Sequence, residues 1–252
     1  MLDHPLDNPA SSALAGPHAA LAECNGRAGR YRPDVSPFAA LPLDPGEEDW
    51  ADLAALAGSG EEVLITGGVP RTPPAGWERV FDLPGVQMVG SGLEVRPDPD
   101  IVVLGEADVP EMLDLVARTR PGPFRTGTPL LGTYLGIRRG DALVAMAGER
   151  MRPAGWSEVS AVCTDPAYRG QSLATRLIRA VGAVIRDRGE VPFLHASEQN
   201  TTAIRLYEHL GFTVRMRPRF TVFRTPGVIS RAPGPIAERD RGRSSAGLGS
   251  AA

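Results

Sequence analysis

The stretch WSEVSAVCTDPAYRGQSLATRLIRAVGAVIRDRG, residues 156–189, predicts the centre of the fold. Residues 156–164 are rich in β-branched and small side chains, which is typical of a strand. A tight turn follows and opens a predicted helix that ends at Gly189. One face of that helix is apolar and the other carries arginines; the apolar residues are Leu173, Leu177, Val181, Val184 and Ile185. Unpaired amides at the start of a helix carry partial positive charge, so the turn is a predicted anion-binding site.

A second stretch, NTTAIRLYEHLGF at residues 200–212, predicts a shorter helix capped by Asn200. Together with TDPAYRGQSLA at residues 164–174, it resembles the acetyl-CoA signature of the GNAT superfamily of N-acetyltransferases. The order of predicted elements is similar to that family over residues 101–225. The resemblance implies an α/β (α+β) fold with a mixed, mostly antiparallel central sheet flanked by helices.

The resemblance also implies which residues bind acetyl-CoA as co-substrate. The backbone of Val162, Cys163 and Thr164 would pair with the pantetheine arm, and the side chain of Asn200 would hold the same arm. The turn would wrap the diphosphate with Arg169, Gly170, Gln171, Ser172, Leu173, Ala174 and Thr175. Ser172 stands where the family usually has glycine, which leaves less room for one backbone approach, although its hydroxyl is able to cap a helix or bond a phosphate oxygen.

Acetyl transfer to an amine needs a base, because a free aliphatic amine has a pKa of about 10. Alternation along the strand places Glu158, Ser160, Val162 and Thr164 on one face, and Val159, Ala161 and Cys163 on the packed face. Glu158 is therefore expected to face a polar cleft, and the resemblance implies a catalytic glutamate on this strand. A bulge beside the cofactor would invert the alternation beyond it.

His195 is the rival base, although a histidine with its hydrogen bonds satisfied at a strand end is the alternative interpretation. Tyr207 has the spacing from Asn200 of a tyrosine that meets the cofactor sulfur in the family. A phenol with a pKa of about 10 transfers its proton to a thiolate with a pKa of about 8.5 at a cost of roughly 2 kcal/mol, so we expect a hydrogen bond more than proton transfer. Cys163 lies without an identifiable base, so a small buried side chain is the better interpretation.

Composition excludes several classes of function. The chain of 252 residues has a formal net charge of −3, and all its basic residues are arginine, so neither bulk nucleic-acid nor membrane binding is expected. The two cysteines, Cys24 and Cys163, have no metal-ligand spacing, and we expect no metal and no structural disulfide. The first residues resemble no secretory signal, so we expect a cytoplasmic protein.

Turn residues divide the chain into three predicted parts. Residues 1–100 predict a smaller N-terminal α/β subdomain, either a degenerate partial copy of the GNAT fold that helps to form a substrate cleft or a structural extension. Within it we expect helices at 10–23 and 47–57 and short strands at 63–66 and 77–83. Residues 101–225 predict the acetyltransferase domain, and the composition of 226–252 predicts a disordered tail.

The sequence therefore predicts an N-acetyltransferase that moves an acetyl group from acetyl-CoA to an amine by direct attack in a ternary complex. The alternative is an acyl-CoA sensor or regulatory module that keeps the fold without turnover. The acceptor stays open between a small molecule and a peptide, and the sequence sets neither the acyl chain preference nor an oligomeric state.

Overall fold

The computed structural model describes residues 4–67 and 72–227. The predicted tail, apart from Pro226 and Gly227, lies outside the described residues. Within them five α-helices are found, with bounds Pro9–Leu14 (α1), Glu47–Ala57 (α2), Val109–Thr119 (α3), Leu173–Asp187 (α4) and Thr201–His209 (α5). Short 3-10 turns cover Pro5–Asp7, Ala19–Leu21, Glu106–Asp108, Thr128–Leu131 and Pro166–Tyr168.

Twelve strands are assigned in the described residues. The first six are Ala22–Asn25 (β1), Ala28–Tyr31 (β2), Phe38–Ala40 (β3), Glu62–Gly67 (β4), Glu78–Val89 (β5) and Val102–Leu104 (β6). The others are Tyr134–Arg139 (β7), Ala142–Glu149 (β8), Trp156–Thr164 (β9), Val191–Ser197 (β10), Thr213–Met216 (β11) and Arg219–Arg224 (β12). They form one sheet in the order β1-β2-β3-β4-β12-β5-β10-β9-β8-β7-β6, and β11 pairs with β5.

The sheet is mixed and mostly antiparallel, as predicted. Parallel pairs occur between β9 and β10 and between β3 and β4, while the other assigned pairs are antiparallel. Helix α4 packs its apolar stripe, including Leu177 and Val181, against β7–β10. Helix α3 packs against β8 and β9 in a separate cluster that includes Met112, Leu115 and Cys163. Helices α3 and α4 therefore flank the sheet at β8 and β9.

Strand β5 joins the two parts of the chain that turn chemistry separates at residue 100. Its first half, residues 78–84, pairs with β12, and its second half, residues 85–89, pairs with β10. Pro84 lies where the strand changes partners, a position at which the missing amide is tolerated. The division into an N-terminal subdomain and an acetyltransferase domain stays a prediction, and both parts contribute strands to one sheet.

The expected helix over 10–23 is wrong beyond Leu14. Gly16 and Pro17 interrupt it, because proline lacks the amide that a helix interior needs, and the chain continues into β1. Strands β1 and β2 form a hairpin around Gly26, which has a positive φ of 52°. The Asn25-Gly26 pair is a sequence signal typical of such a hairpin.

We expect Met88→Ala, which truncates a fully buried side chain of β5, to lower the free energy of unfolding by about 2–5 kcal/mol. Urea unfolding followed by far-UV circular dichroism and tryptophan fluorescence is expected to show one coincident transition, since β5 has strands on both sides. Val80→Ala, on an exposed part of the same strand, is the matched control. Two separated transitions would contradict a single cooperative sheet.

Candidate active site

The parallel strands β9 and β10 pair over only a short stretch and then separate. Val191–Phe193 pair with Trp156–Glu158, and beyond that point β9 continues to Thr164 with β8 as its partner, while β10 continues to Ser197 with β5 as its partner. The sheet therefore contains a split with strand edges on both sides. An extended molecule that enters it is able to bond to those edges as an added strand does.

A bulge on β9 borders the split. Met146 pairs with Cys163 and Gly148 pairs with Ser160, so two residues of β9 lie opposite one of β8. Ala161 has a φ of 51°, which is rare for a residue with a side chain. The strand bends at this point, next to the opening between β9 and β10.

The bulge corrects the face assignment made from alternation. Val159 and Val162 pack in one cluster with α4, whereas Ala161 and Cys163 pack in the other with α3. The predicted face of each residue is correct as far as Ser160 and wrong beyond it, because the extra residue inverts the alternation. Cys163 is nevertheless buried, and burial raises the pKa of its thiol, as suits a small core side chain more than a nucleophile.

One backbone amide of β9 faces the split. The amide of Asp165 donates to the carbonyl of Val144 on β8 at 2.8 Å. Since these groups alternate in direction along a strand, the amide of Thr164 points away from β8. Thr164 is one of the three residues whose backbone is expected to meet the pantetheine arm.

The turn between β9 and α4 has the backbone expected of an anion-binding loop. Gly170 has a φ of 78° and Ser172 a φ of 58°, and α4 begins at the next residue. Arg176 is the first residue of α4 whose amide bonds to a carbonyl of the turn, that of Ser172. The amides of the first turn, at Leu173, Ala174 and Thr175, precede that bond and are the ones a helix leaves unpaired. The residues present therefore fit a diphosphate through their main chain.

Ser172 occupies the left-handed conformation that explains the family preference for glycine at this position. Its side chain makes no capping hydrogen bond, so its hydroxyl does not compensate for the strain in the way a cap would. Arg169 also lines a cavity at the split between β9 and β10. Gln171 and Gly170 lie on the exposed side of the loop.

Helix α5 positions two of the predicted site residues, Asn200 and Tyr207. Asn200 caps the helix by accepting a hydrogen bond from the amide of Ala203 at 3.2 Å. Tyr207 follows seven residues later, two turns along the same face of the helix, and packs against the cluster under α4. Burial raises the pKa of Tyr207 to about 12, and its hydroxyl has no hydrogen-bond partner among the described residues.

A cavity of about 660 Å³ passes through the split. Val162, Asn200 and Tyr207 line the side next to α4 and α5. Phe38 and Phe220 line the opposite side, where they belong to a cluster that includes the N-terminal helix α1. The first hundred residues thus form part of the cavity wall. Sequence analysis did not identify these residues, because nothing in a single sequence indicates that side chains of β3 and β12 line the same cavity as β9.

Glu158 lies behind the wall of this cavity, not in an open cleft. It is fully buried and is not one of the lining residues. Arg150 donates two hydrogen bonds to its carboxylate, at 2.5 and 2.9 Å, and His195 Nδ1 lies 2.6 Å from Oε1. The expectation that Glu158 faces the cleft directly is therefore corrected. Arg150, a residue that sequence analysis did not identify, forms an ion pair with Glu158 and itself lines the cavity.

The charge state of Glu158 follows from these contacts. Burial alone would raise its pKa, but the charges and hydrogen bonds of Arg150 and His195 outweigh burial and hold the pKa of Glu158 well below its ordinary value. The carboxylate is thus ionised at neutral pH. A base with so low a pKa accepts protons poorly by itself, so the contact with His195 becomes important.

Both ring nitrogens of His195 have partners. Nδ1 faces the carboxylate of Glu158, and Nε2 lies 3.1 Å from Nε2 of Gln87. The amide of Gln87 is oriented by donation to the carbonyl of Leu6 at 2.8 Å and by acceptance from Arg215 at 2.9 Å. Gln87 must then donate to His195, which fixes the tautomer with its proton at Nδ1 and its lone pair at Nε2.

No group of three or more metal-binding side chains is found in the described parts of the chain, and none of the helices there is long and apolar enough to cross a membrane. Cys24 and Cys163 are both free thiols.

Comparison with known proteins finds similar sequences and structures. Residues 134–221 match the family model described as FR47-like protein. A solved structure of a GNAT-family acetyltransferase from Novosphingobium aromaticivorans is 44% identical and has a TM-score of 0.82, covering 89% of this chain and 100% of that one. A GCN5-related N-acetyltransferase from Kribbella flavida is similar in fold, with a TM-score of 0.59 at 16% identity over 86% of this chain and 94% of that one.

Two curated relatives match shorter parts. The N-alpha-acetyltransferase RimI of Mycobacterium tuberculosis is 36% identical over 91 residues, which is 34% of this chain and 56% of the relative. Mycothiol acetyltransferase of Thermobispora bispora is 47% identical over 57 residues, 22% of this chain and 19% of the relative. The chain thus spans well under two thirds of either relative. With the full-length match above, the chain belongs to the GNAT family of acetyltransferases.

The strain at Ser172 predicts an unusual response to glycine. A left-handed residue with a side chain costs about 1–2 kcal/mol, so Ser172→Gly is expected to raise the free energy of unfolding by up to about 1 kcal/mol despite the added freedom of the unfolded chain. Gln171→Gly, next to it and without a positive φ, is the control and is expected to lower stability. Equal effects of the two changes in urea unfolding would contradict strain at Ser172.

The buried ion pair predicts a pH-dependent loss of stability. Glu158→Gln leaves Arg150 without its partner and is expected to lower the free energy of unfolding by about 3–5 kcal/mol at pH 7. The folded-state pKa of Glu158 is depressed, so its ionised carboxylate stabilises the folded protein fully above the unfolded-state pKa, near 4.3. That stabilisation is lost progressively as the pH falls from there through the folded-state pKa.

The difference in stability between wild type and Glu158→Gln should therefore narrow between pH 5 and pH 3, as measured by urea unfolding at each pH. Glu62→Gln, at an exposed pair with Arg224, is the control with an expected change of about 1 kcal/mol or less. A difference that stays constant down to pH 3 would show that Glu158 carries no depressed pKa.

Proposed function

We propose that this protein transfers an acetyl group from acetyl-CoA to an amine acceptor by direct attack in a ternary complex. The observation that carries the proposal is the cavity through the split between β9 and β10, which joins Tyr207 on one side of the sheet to Arg150 and His195 on the other. Acetyl-CoA enters from the side of α4 and α5, and the amine enters from the opposite side.

The chain binds acetyl-CoA through main-chain groups in this proposal. The amides of the turn, from Gly170 to Thr175, hold the diphosphate, and Arg169 adds a positive charge beside it. The edge of β9 at Val162, Cys163 and Thr164 receives the pantetheine arm, with Asn200 across the cavity. This places the thioester in the split, where an amide of the strand edge is able to donate to its carbonyl oxygen.

In the transfer step the amine nitrogen forms a bond to the thioester carbon, the carbon–sulfur bond breaks, and the proton lost by the amine goes to the protein or to water. His195 lines the cavity and carries a lone pair at Nε2, so it is the group proposed to accept that proton. Glu158 does not line the cavity and acts through His195, as a positioning residue that stabilises the protonated ring. Gln87 must give up its hydrogen bond to Nε2, at a cost of about 1 kcal/mol.

Tyr207 is proposed to donate a hydrogen bond to the departing sulfur. With its pKa raised to about 12, full proton transfer to a thiolate of pKa about 8.5 is uphill by roughly 5 kcal/mol. A hydrogen bond that stabilises the thiolate avoids this cost. The unpartnered hydroxyl on the cavity side is consistent with that role.

The proposal is tested by thiol release from acetyl-CoA across an amine panel, alongside calorimetric binding of acetyl-CoA. Tyr207→Phe is expected to lower kcat by about 10- to 1000-fold and to leave the acetyl-CoA Kd within a few fold, since the lost hydrogen bond forms in the transition state. Tyr134→Phe is the matched control, because that buried hydroxyl has no described partner and does not line the cavity.

One outcome would overturn the proposed acetyl transfer, and a second would overturn the role proposed for Tyr207. Tight acetyl-CoA binding without thiol release on any amine would indicate a sensor instead of an enzyme. Equal kcat in Tyr207→Phe and Tyr134→Phe would remove Tyr207 from the mechanism while leaving acetyl transfer in place.

A further inference from the structure

The acceptor side of the cavity is walled by apolar side chains from four strands. They are Phe38 of β3, Leu64 of β4, Phe81 of β5, and Phe220 and Val222 of β12. Four of them belong to the buried cluster on that side of the sheet, and Phe81 pairs directly with Val222, so its side chain lies on the same face. Phe81 is 50% exposed, which places it at the mouth.

The charges on this wall are positive. Among the described residues, no aspartate or glutamate lines the cavity, and Arg150 is a lining arginine on this side, next to Phe38. Two carboxylates next to lining residues in the sequence are already paired, Asp82 with Arg219 and Glu198 with Arg217. An ammonium group that entered here would meet no carboxylate among the described residues that line the cavity.

Glu158, just behind the wall, does not supply one. Its carboxylate accepts hydrogen bonds from Arg150 and from the amide of Met151, and it faces His195 as well. The guanidinium of Arg150 also lies over the ring of Phe38, with 4.9 Å between Cζ and the ring centroid. A second cation beside this assembly would be repelled and left unpaired in an apolar pocket, which is costly.

Aromatic rings are suited to this pocket. His195 and Phe220 lie edge to face with 5.5 Å between their centroids, so an aromatic group on the acceptor meets ring faces and edges already fixed in place. An apolar environment also favours the neutral form of an amine, which is the form that attacks a thioester.

We infer that the acceptor is a monoamine bearing an aromatic or branched apolar group, and that the apolar, carboxylate-free wall selects against polyamines and lysine side chains. This inference rests on the proposed acetyl transfer and adds the class of acceptor. Phe81 is a specificity-determining residue in it.

The test compares kcat/KM for 2-phenylethylamine and 3-methylbutylamine with that for 1,4-diaminobutane and spermidine, by thiol release from acetyl-CoA. The apolar monoamines are expected to be better by tenfold or more, the range that hydrophobic pocket contacts supply. Diamines used as well as, or better than, the monoamines would overturn the inference and leave the proposed transfer intact. Thiol release with neither kind of amine, despite acetyl-CoA binding, would overturn both.

A substitution at the mouth sharpens the test. Phe81→Glu introduces a carboxylate at a half-exposed position and is expected to reduce the preference for 2-phenylethylamine over 1,4-diaminobutane by about tenfold. Val103→Glu is the matched control, since Val103 is 71% exposed on β6 and does not line the cavity. A preference that is the same in both variants would show that the wall at Phe81 does not select the acceptor.

Discussion

The separation of β9 from β10 after Glu158 is the constraint on which the rest of the site depends. Two parallel strands that stayed paired would bury their edges and close the cavity. The bulge at Ala161 bends β9 while β5 holds β10 in place on its other side. Because each strand has a second partner, the sheet tolerates the split without losing its continuity. The edges so exposed are the places where an extended substrate arm is able to bind.

The buried pair of Arg150 and Glu158 stands where the strands part. Removing two charges from water is expensive, and the geometry offsets this cost with two hydrogen bonds between the side chains and further bonds to Met151 and His195. The pair also sets the chemistry of the pocket, since it presents a guanidinium to the cavity and keeps the carboxylate behind the wall. The same arrangement that holds His195 in one tautomer keeps Glu158 out of the cavity, and no carboxylate lines the cavity among the described residues.

Much of this fold could be predicted from local pattern. Apolar spacing and caps predict helices α2, α4 and α5, and small residues predict the turn that opens α4. Patterns failed where distant parts of the chain decide. Alternation along β9 could not reveal that Ala161 inverts the faces, and no local signal shows that Gln87 and Arg150 meet His195. The prediction of one helix over residues 10–23 is wrong because Gly16 and Pro17 follow the end of the helix at Leu14.

The cavity has lining residues on both faces of the sheet, which would give the two proposed reactants separate routes. In the proposed reaction the nucleotide end of acetyl-CoA lies by α4, while the amine approaches past β12 and the N-terminal segment, so neither has to pass the other. That arrangement would impose no steric order of binding, and it would let the acetylated product leave while CoA is still bound. The turnover rate of the proposed reaction would then be set by whichever of the two products leaves more slowly.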